Sequence, residues 1–307
     1  MKKIGLLLLV ILTLQFSACN QKTTENNQQQ DSIGYHFNDT LKILTEAPEI
    51  SAYKSFLNNL DSTDMNTVTE ATNQFKTVFT NKRPGLCDSA FVLYQSYLDT
   101  VETKLNEQIM NDTTDYSVLY SGETVPKRIL DFQSRLQKNG FKIISEEGMA
   151  YIEQNRDFVF GQLSDMVSPA MKNYMQEIAI ENKEGFSSDA AITISPQKHV
   201  DRIIWYENFI KDNPGFALLD NCKNYKKAYL TYLITGFDNT PLFEYSSDMI
   251  LTPYYTKAWN YLIKKYPDSE AASLINPYYT AAKQKQENVM KDLKKQYVIK
   301  GLIYDFQ

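Results

Sequence analysis

The chain has 307 residues, with 32 basic against 37 acidic side chains, a formal charge of −5 and 43% hydrophobic residues. That length is ample for a buried core and fits one large domain or two small ones. The acidic balance, with no basic block or stripe, argues against a nucleic-acid partner, because phosphate binding rests on clustered Lys and Arg.

At the start of the chain, Lys2 and Lys3 precede an apolar run from Ile4 to Leu14, and the small residues Ser17 and Ala18 close it. These are the three parts of a secretory signal. The run gives way to Gln15, short of the about 20 apolar residues that a membrane-spanning helix needs, so residues 1–18 are expected to be a cleaved signal peptide. Phe16-Ser17-Ala18-Cys19 resembles the lipobox of bacterial lipoproteins, with Phe16 where that family prefers an aliphatic residue. The resemblance implies cleavage before Cys19, acylation of its sulfur, and a bilayer partner held through that lipid. Several acyl chains on one residue anchor stably where a single chain binds marginally. Asn20 follows the cysteine, as in lipoproteins released to an outer membrane, so the cell envelope and its outer membrane are the expected location. The segment 19–38 is dominated by Asn, Gln, Thr and charged residues and reads as a flexible polar tether.

Without residues 1–18 the mature chain carries 30 basic against 37 acidic side chains, a formal charge of −7. Two cysteines remain in the body, Cys87 and Cys222. In a disulfide-permissive compartment they are a candidate pair, the alternative being two separate buried thiols. There is no CxxC or HExxH spacing, and with His36 and His199 the only histidines, neither a metal site nor a cofactor is expected.

Helical periodicity dominates the body at 39–307. Tyr53, Phe56, Leu57 and Leu60 share one face, Val68 to Phe79 continue the spacing, and Phe91, Tyr94, Leu98, Val101 and Leu105 form a third stripe. Pro126 to Lys138 reads as a fourth helix closed by Asn139-Gly140. From Phe141 the pattern becomes strand-like, with a turn at Glu146-Glu147-Gly148, and predicts a small β-hairpin near 141–153, with a candidate sub-boundary near 139–155. Ser168-Pro169, Ser195-Pro196 and Thr252-Pro253 each place a capping hydroxyl before proline, and predict three helix starts.

A displacement of 53 residues superposes Tyr206 on Trp259, Phe209 on Leu262, Pro214 on Pro267, Tyr225 on Tyr278 and Ala228 on Ala281. Each copy reads as helix, proline turn, helix, so hairpin repeats are expected over about 196–300. The stretch from Leu262 to Ala272 resembles the segment linking helices in tetratricopeptide-like repeats of envelope lipoproteins, although the 53-residue spacing departs from the about 34 of that family. The expected fold is mainly α, an α-solenoid-like array of helical hairpins with the one small β-hairpin.

Sequence patterns that would carry chemistry are sparse. Ser195-Pro196-Gln197-Lys198 has the Ser-x-x-Lys spacing of penicillin-binding enzymes, but the companion elements are absent and a capped helix start explains it. His199 with Asp201 and Glu207 can be drawn as an acid/base group; a solvated helix face accounts for all three. Tyr206 and Trp259 occupy equivalent repeat positions, which suits a core role, whereas Trp205, Tyr254 and Tyr255 are the candidate aromatics for binding an envelope protein or a glycan. Asp-Ser/Thr pairs at Asp31, Asp39, Asp61, Asp88, Asp99 and Asp112 resemble a short periplasmic O-glycosylation pattern, with Ser32 and Thr40 the accessible acceptors. The expectation is a lipid-anchored envelope protein with a binding or scaffolding role and no catalytic residues. The alternative is an envelope hydrolase or carbohydrate-acting enzyme whose site is built from dispersed carboxylates.

Overall fold

The computed structural model describes residues 47–305 except 147, 246 and 247. Cys19, the signal and the tether lie outside the described residues. The body is mainly helical: the described residues form eleven α-helices, with two short antiparallel hairpins inserted among them.

The first three apolar stripes become α1 (Pro48–Asn58), α2 (Thr67–Phe79) and α3 (Pro84–Asn111). Their shared core is aromatic. Tyr53 meets Phe75 and Phe79 edge-on at 5.8 and 5.4 Å, and its hydroxyl donates to the Ala71 carbonyl at 3.0 Å, so burial leaves no orphan oxygen. Helix α3 starts at Pro84, whose missing N–H costs nothing in a first turn. It runs 28 residues and forms one wall of the candidate site.

Helix α4 (Lys127–Lys138) ends at Asn139, and Gly140 takes φ 80°, the left-handed conformation expected after a helix. A Cβ at Gly140 would stand 2.6 Å from the Phe158 ring, so both backbone and packing require glycine. The hairpin follows as β1 (Phe141–Glu146) and β2 (Met149–Gln154), with Ile143 opposite Ile152 and Phe141 opposite Gln154. Asn155 caps α5 (Arg156–Leu163) by accepting from the Phe158 N–H at 3.3 Å. This helix of 8 residues is too short to show a repeating stripe, and sequence reading passes over it.

The second half comprises α6 (Pro169–Glu184), α7 (Pro196–Asp212), α8 (Leu219–Thr235), α9 (Pro253–Lys265), α10 (Glu270–Lys283) and α11 (Glu287–Ile299). Ser168 and Ser195 cap α6 and α7 as expected, each accepting a backbone N–H at 3.2 Å. The third start differs: Thr252 precedes Pro253, but its hydroxyl donates to the Pro241 carbonyl at 3.0 Å and caps nothing.

The internal repeat is visible as α7–α8 followed by α9–α10. The residues closing α7 and α9, Asn213 and Tyr266, share a backbone conformation, φ −129° with ψ 58° and 53°, immediately before the equivalent prolines. Tyr206 and Trp259 are both fully buried, at 0% exposure, which is the core role their equivalence implied. The Trp259 indole N–H donates to the Leu233 carbonyl at 3.0 Å and ties the second hairpin to the first.

Between α6 and α7 lies a hairpin that the sequence did not announce, β3 (Ser187–Ser188) and β4 (Ala191–Ile192). Asp189 and Ala190 turn it with φ 47° and 52°, the doubly left-handed turn usually made by Asn-Gly. The buried apolar side chains form one connected cluster from Ile50 to Ile303, continuous through 136–163.

Candidate functional site

Two buried polar networks meet where α3 and the β-hairpin face α6, α7 and α8. The first hangs on α3. Gln95 and Asp99 lie one turn apart, and the Gln95 amide donates to Asp99 at 2.7 Å. Gln154, at the end of β2 and 1% exposed, donates to Asp99 at 2.8 Å and to Glu102 at 2.7 Å. The Gln95 carbonyl oxygen accepts from Arg156 Nη1 at 2.5 Å. Strand pairing places Gln154, the cap of α5 places Arg156, and the i, i+3 spacing of Asp99 and Glu102 puts both carboxylates on one face of α3. Burial pushes the Glu102 carboxyl up to about 7, against the opposing pull of Arg156.

The second network is centred on Glu181 of α6, which is 7% exposed. Its Oε2 accepts from Tyr206 at 3.1 Å and Tyr229 at 2.8 Å, while Oε1 has no hydrogen-bond partner and lies 3.9 Å from Arg202 Nε. Arg202 donates to Tyr229, to Glu184 and to the Gly185 carbonyl at 3.2, 3.1 and 2.9 Å. Burial raises the Glu181 carboxyl to about 7, whereas Glu184 is lowered by Lys198 and Arg202 beside it. The two carboxyls on α6 are therefore shifted in opposite directions by environment alone.

An aromatic cluster connects the networks. Tyr225 stacks on Tyr206 at 5.5 Å and 19°; Trp205 packs edge-on to Tyr206 at 4.9 Å and stacks on Phe209 at 4.8 Å; Tyr174 leans on Phe209 and Phe216. Neither the Tyr174 nor the Tyr225 hydroxyl has a hydrogen-bond partner among the described residues. Burial raises the pKa of both, with the Arg156 charge pulling them down and the Glu181 charge pushing them up.

No family model, curated protein or solved structure matches this chain.

The residues singled out from sequence fall in different places. Trp205 is half-buried within the connecting aromatic cluster. Tyr255 is not a surface aromatic: it is 0% exposed and its hydroxyl donates to the Thr240 carbonyl at 2.9 Å, because α9 turns this face inward against the loop before it. Tyr254 is half-buried beside His199. Cys87 and Cys222 are separate, free and buried, so the disulfide gives way to the alternative of two apolar-like thiols; burial raises both pKa values, Cys222 to about 12.

His199, Asp201 and Glu207 do not converge, and the solvated-face reading fails for His199, which is 0% exposed. Its Nε2 lies 2.8 Å from the Tyr229 carbonyl and must donate, so Nδ1 accepts from the Tyr254 hydroxyl at 3.2 Å. Burial holds its pKa down at about 4, which keeps the ring neutral at physiological pH. Asp201 accepts from Tyr266 at 2.7 Å and from Tyr261 at 3.0 Å. Glu207 reaches across to α10, accepting from the Glu270 and Ala271 N–H groups at 2.6 and 3.1 Å. Ser195 caps α7, and the Lys198 ammonium pairs with Glu184, so the Ser-x-x-Lys spacing carries no nucleophile and base.

Glu102, Arg156, Glu181 and Arg202 went unnoticed in the sequence. Glu181 and Arg202 come from helices separated by an unannounced hairpin, and Arg156 opens a helix too short to recognise. The one available signal was charge on otherwise apolar helix faces.

Proposed function

We propose that this chain is a lipid-anchored component of a bacterial envelope, held at the outer membrane through acylated Cys19, whose helical body binds a partner at the seam between α3 and the α6–α8 helices. The anchor rests on the lipobox resemblance. The binding role rests chiefly on the Arg156 guanidinium. It has one hydrogen bond from its five N–H groups and no carboxylate within ion-pair distance among the described residues, beside two tyrosyl hydroxyls that also lack partners. Donors left open at a half-buried position favour a ligand or ordered water that completes them. Fractionation tests the anchor: Cys19→Ala should move the protein from membrane to soluble fraction with its helical circular dichroism intact, and retention in membranes would overturn the lipid-anchored reading.

One observation favours the carbohydrate-acting enzyme instead. Glu102, with a carboxyl near 7, sits on the same face of α3 as Asp99, and a carboxyl protonated near neutrality is suited to general-acid work. Under that reading purified protein releases reducing ends from an envelope polysaccharide and Glu102→Gln does not. Equal background release from both leaves the binding reading in place.

A further inference from the structure

The same seam carries enough chemistry to name a ligand class. Its polar groups are planar and hydrogen-bond in pairs: the Arg156 guanidinium, the Gln95 and Gln154 amides, and the Asp99 and Glu102 carboxyls. The two amides spend their N–H groups inside the seam, which leaves the remaining Arg156 N–H groups and the carboxyl oxygens as the donors and acceptors that vicinal hydroxyls would meet. The Tyr174 and Tyr225 hydroxyls add two more groups without a partner among the described residues; neither oxygen is sealed from solvent, so a ligand hydroxyl can reach both.

Charge discriminates between ligands. Arg156 feels the charges of Asp99 and Glu102, both on α3, and Tyr225 feels both Arg156 and Glu181 of α6. Around Arg156 the seam holds charges of both signs without an ion pair between them among the described residues, so an anionic ligand would meet carboxylates and a cationic one would meet Arg156. A neutral polyol meets neither penalty. The half-buried rings of Trp205 and Tyr225 stand alongside, and flat rings pack against the apolar faces of sugar rings.

We propose that the seam formed by Gln95, Asp99, Gln154, Arg156, Tyr174 and Tyr225 is a binding site for a neutral saccharide. The assignment rests on the partner-binding reading above and narrows it to one chemistry.

The two tyrosyl hydroxyls make a clean test. Tyr174→Phe and Tyr225→Phe keep both rings and break no hydrogen bond within the described residues, so melting temperatures should stay close to that of the parent. The full-length protein in detergent, probed on an array of neutral hexose and N-acetylhexosamine oligosaccharides, should bind at least one glycan. Each single variant should weaken it about 3- to 10-fold, the range for one neutral hydrogen bond, and the double variant by more still. Arg156→Lys, which keeps charge but loses the planar fork, should also weaken binding. Absence of any neutral glycan bound, binding confined to acidic glycans, or affinity unchanged in the double variant would each overturn the saccharide assignment. The wider envelope reading fails on a different result, membrane retention of Cys19→Ala, so the two outcomes remain separate.

Discussion

Glu181 and His199 illustrate how burial sets protonation in this molecule. The Glu181 carboxyl stands at about 7 in the folded chain against about 4.3 in an unfolded one. A raised carboxyl contributes stability that is full below the unfolded pKa and is lost as pH rises through the folded value. His199, lowered to about 4 from about 6.5, acts in the opposite sense: its contribution is present above the unfolded pKa and is lost as pH falls toward the folded one. Between about pH 5 and 6.5 the two oppose one another, and Glu102, also near 7, adds to the glutamate side. Urea denaturation of the parent and of Glu181→Gln across this window should therefore diverge. The parent should lose stability relative to the variant by about 1.4 kcal/mol per pH unit as pH rises, one proton's worth of linkage; parallel curves would mean that Glu181 ionises normally. None of this was legible in the sequence, where Glu181 is one acidic residue among many and His199 lies near a helix start. Their partners, Tyr206, Tyr229 and Tyr254, come from other helices, so burial is a property of the packing.

Elements were legible where their apolar stripes were long. The stripes behind α1 to α4, the β1–β2 hairpin and the repeat α7–α8/α9–α10 follow from periodicity and turn residues alone. Short elements escaped: α5 with 8 residues, and the β3–β4 hairpin, whose Asp189-Ala190 turn lacks the usual residues for positive φ. Caps were partly legible. Ser168 and Ser195 cap as their placement predicts, while Thr252 bonds to Pro241 because the preceding loop brings that carbonyl within reach. The α10 start also depends on a residue from another helix. Ser269 accepts from Ala272 at 3.0 Å, and Glu207 on α7 takes the two N–H groups before it, its charge favoured by the helix dipole. Glu207→Ala should lower unfolding stability by about 1 kcal/mol, the usual cost of a lost cap, measured as a shift in urea midpoint at constant m; an unchanged midpoint would mean that water replaces the carboxylate without loss.

At the scale of the whole molecule, the connected core from Ile50 to Ile303 leaves the two thiols far from acting as staples. Cys87 is held in the first helical layer, its sulfur directed at the Phe79 carbonyl at 3.6 Å, and Cys222 is 0% exposed on α8. Thermal unfolding should accordingly be the same with and without a reductant, and the native protein should react with a thiol reagent only slowly; a melting temperature that drops on reduction would show that the two cysteines pair after all.

By itself the sequence determined the helical class, the position of the hairpin, the 53-residue repeat and the core roles of Tyr206 and Trp259, because periodicity, capping and repetition are local or nearly so along the chain. Only the tertiary structure decided which polar residues meet. It buried His199, turned Tyr255 inward, kept Cys87 and Cys222 apart, and brought Arg156, Glu102 and Glu181 to one seam. Those positions are tens of residues apart in the chain, and the cost of burying a charge falls on whichever residues the packed helices enclose.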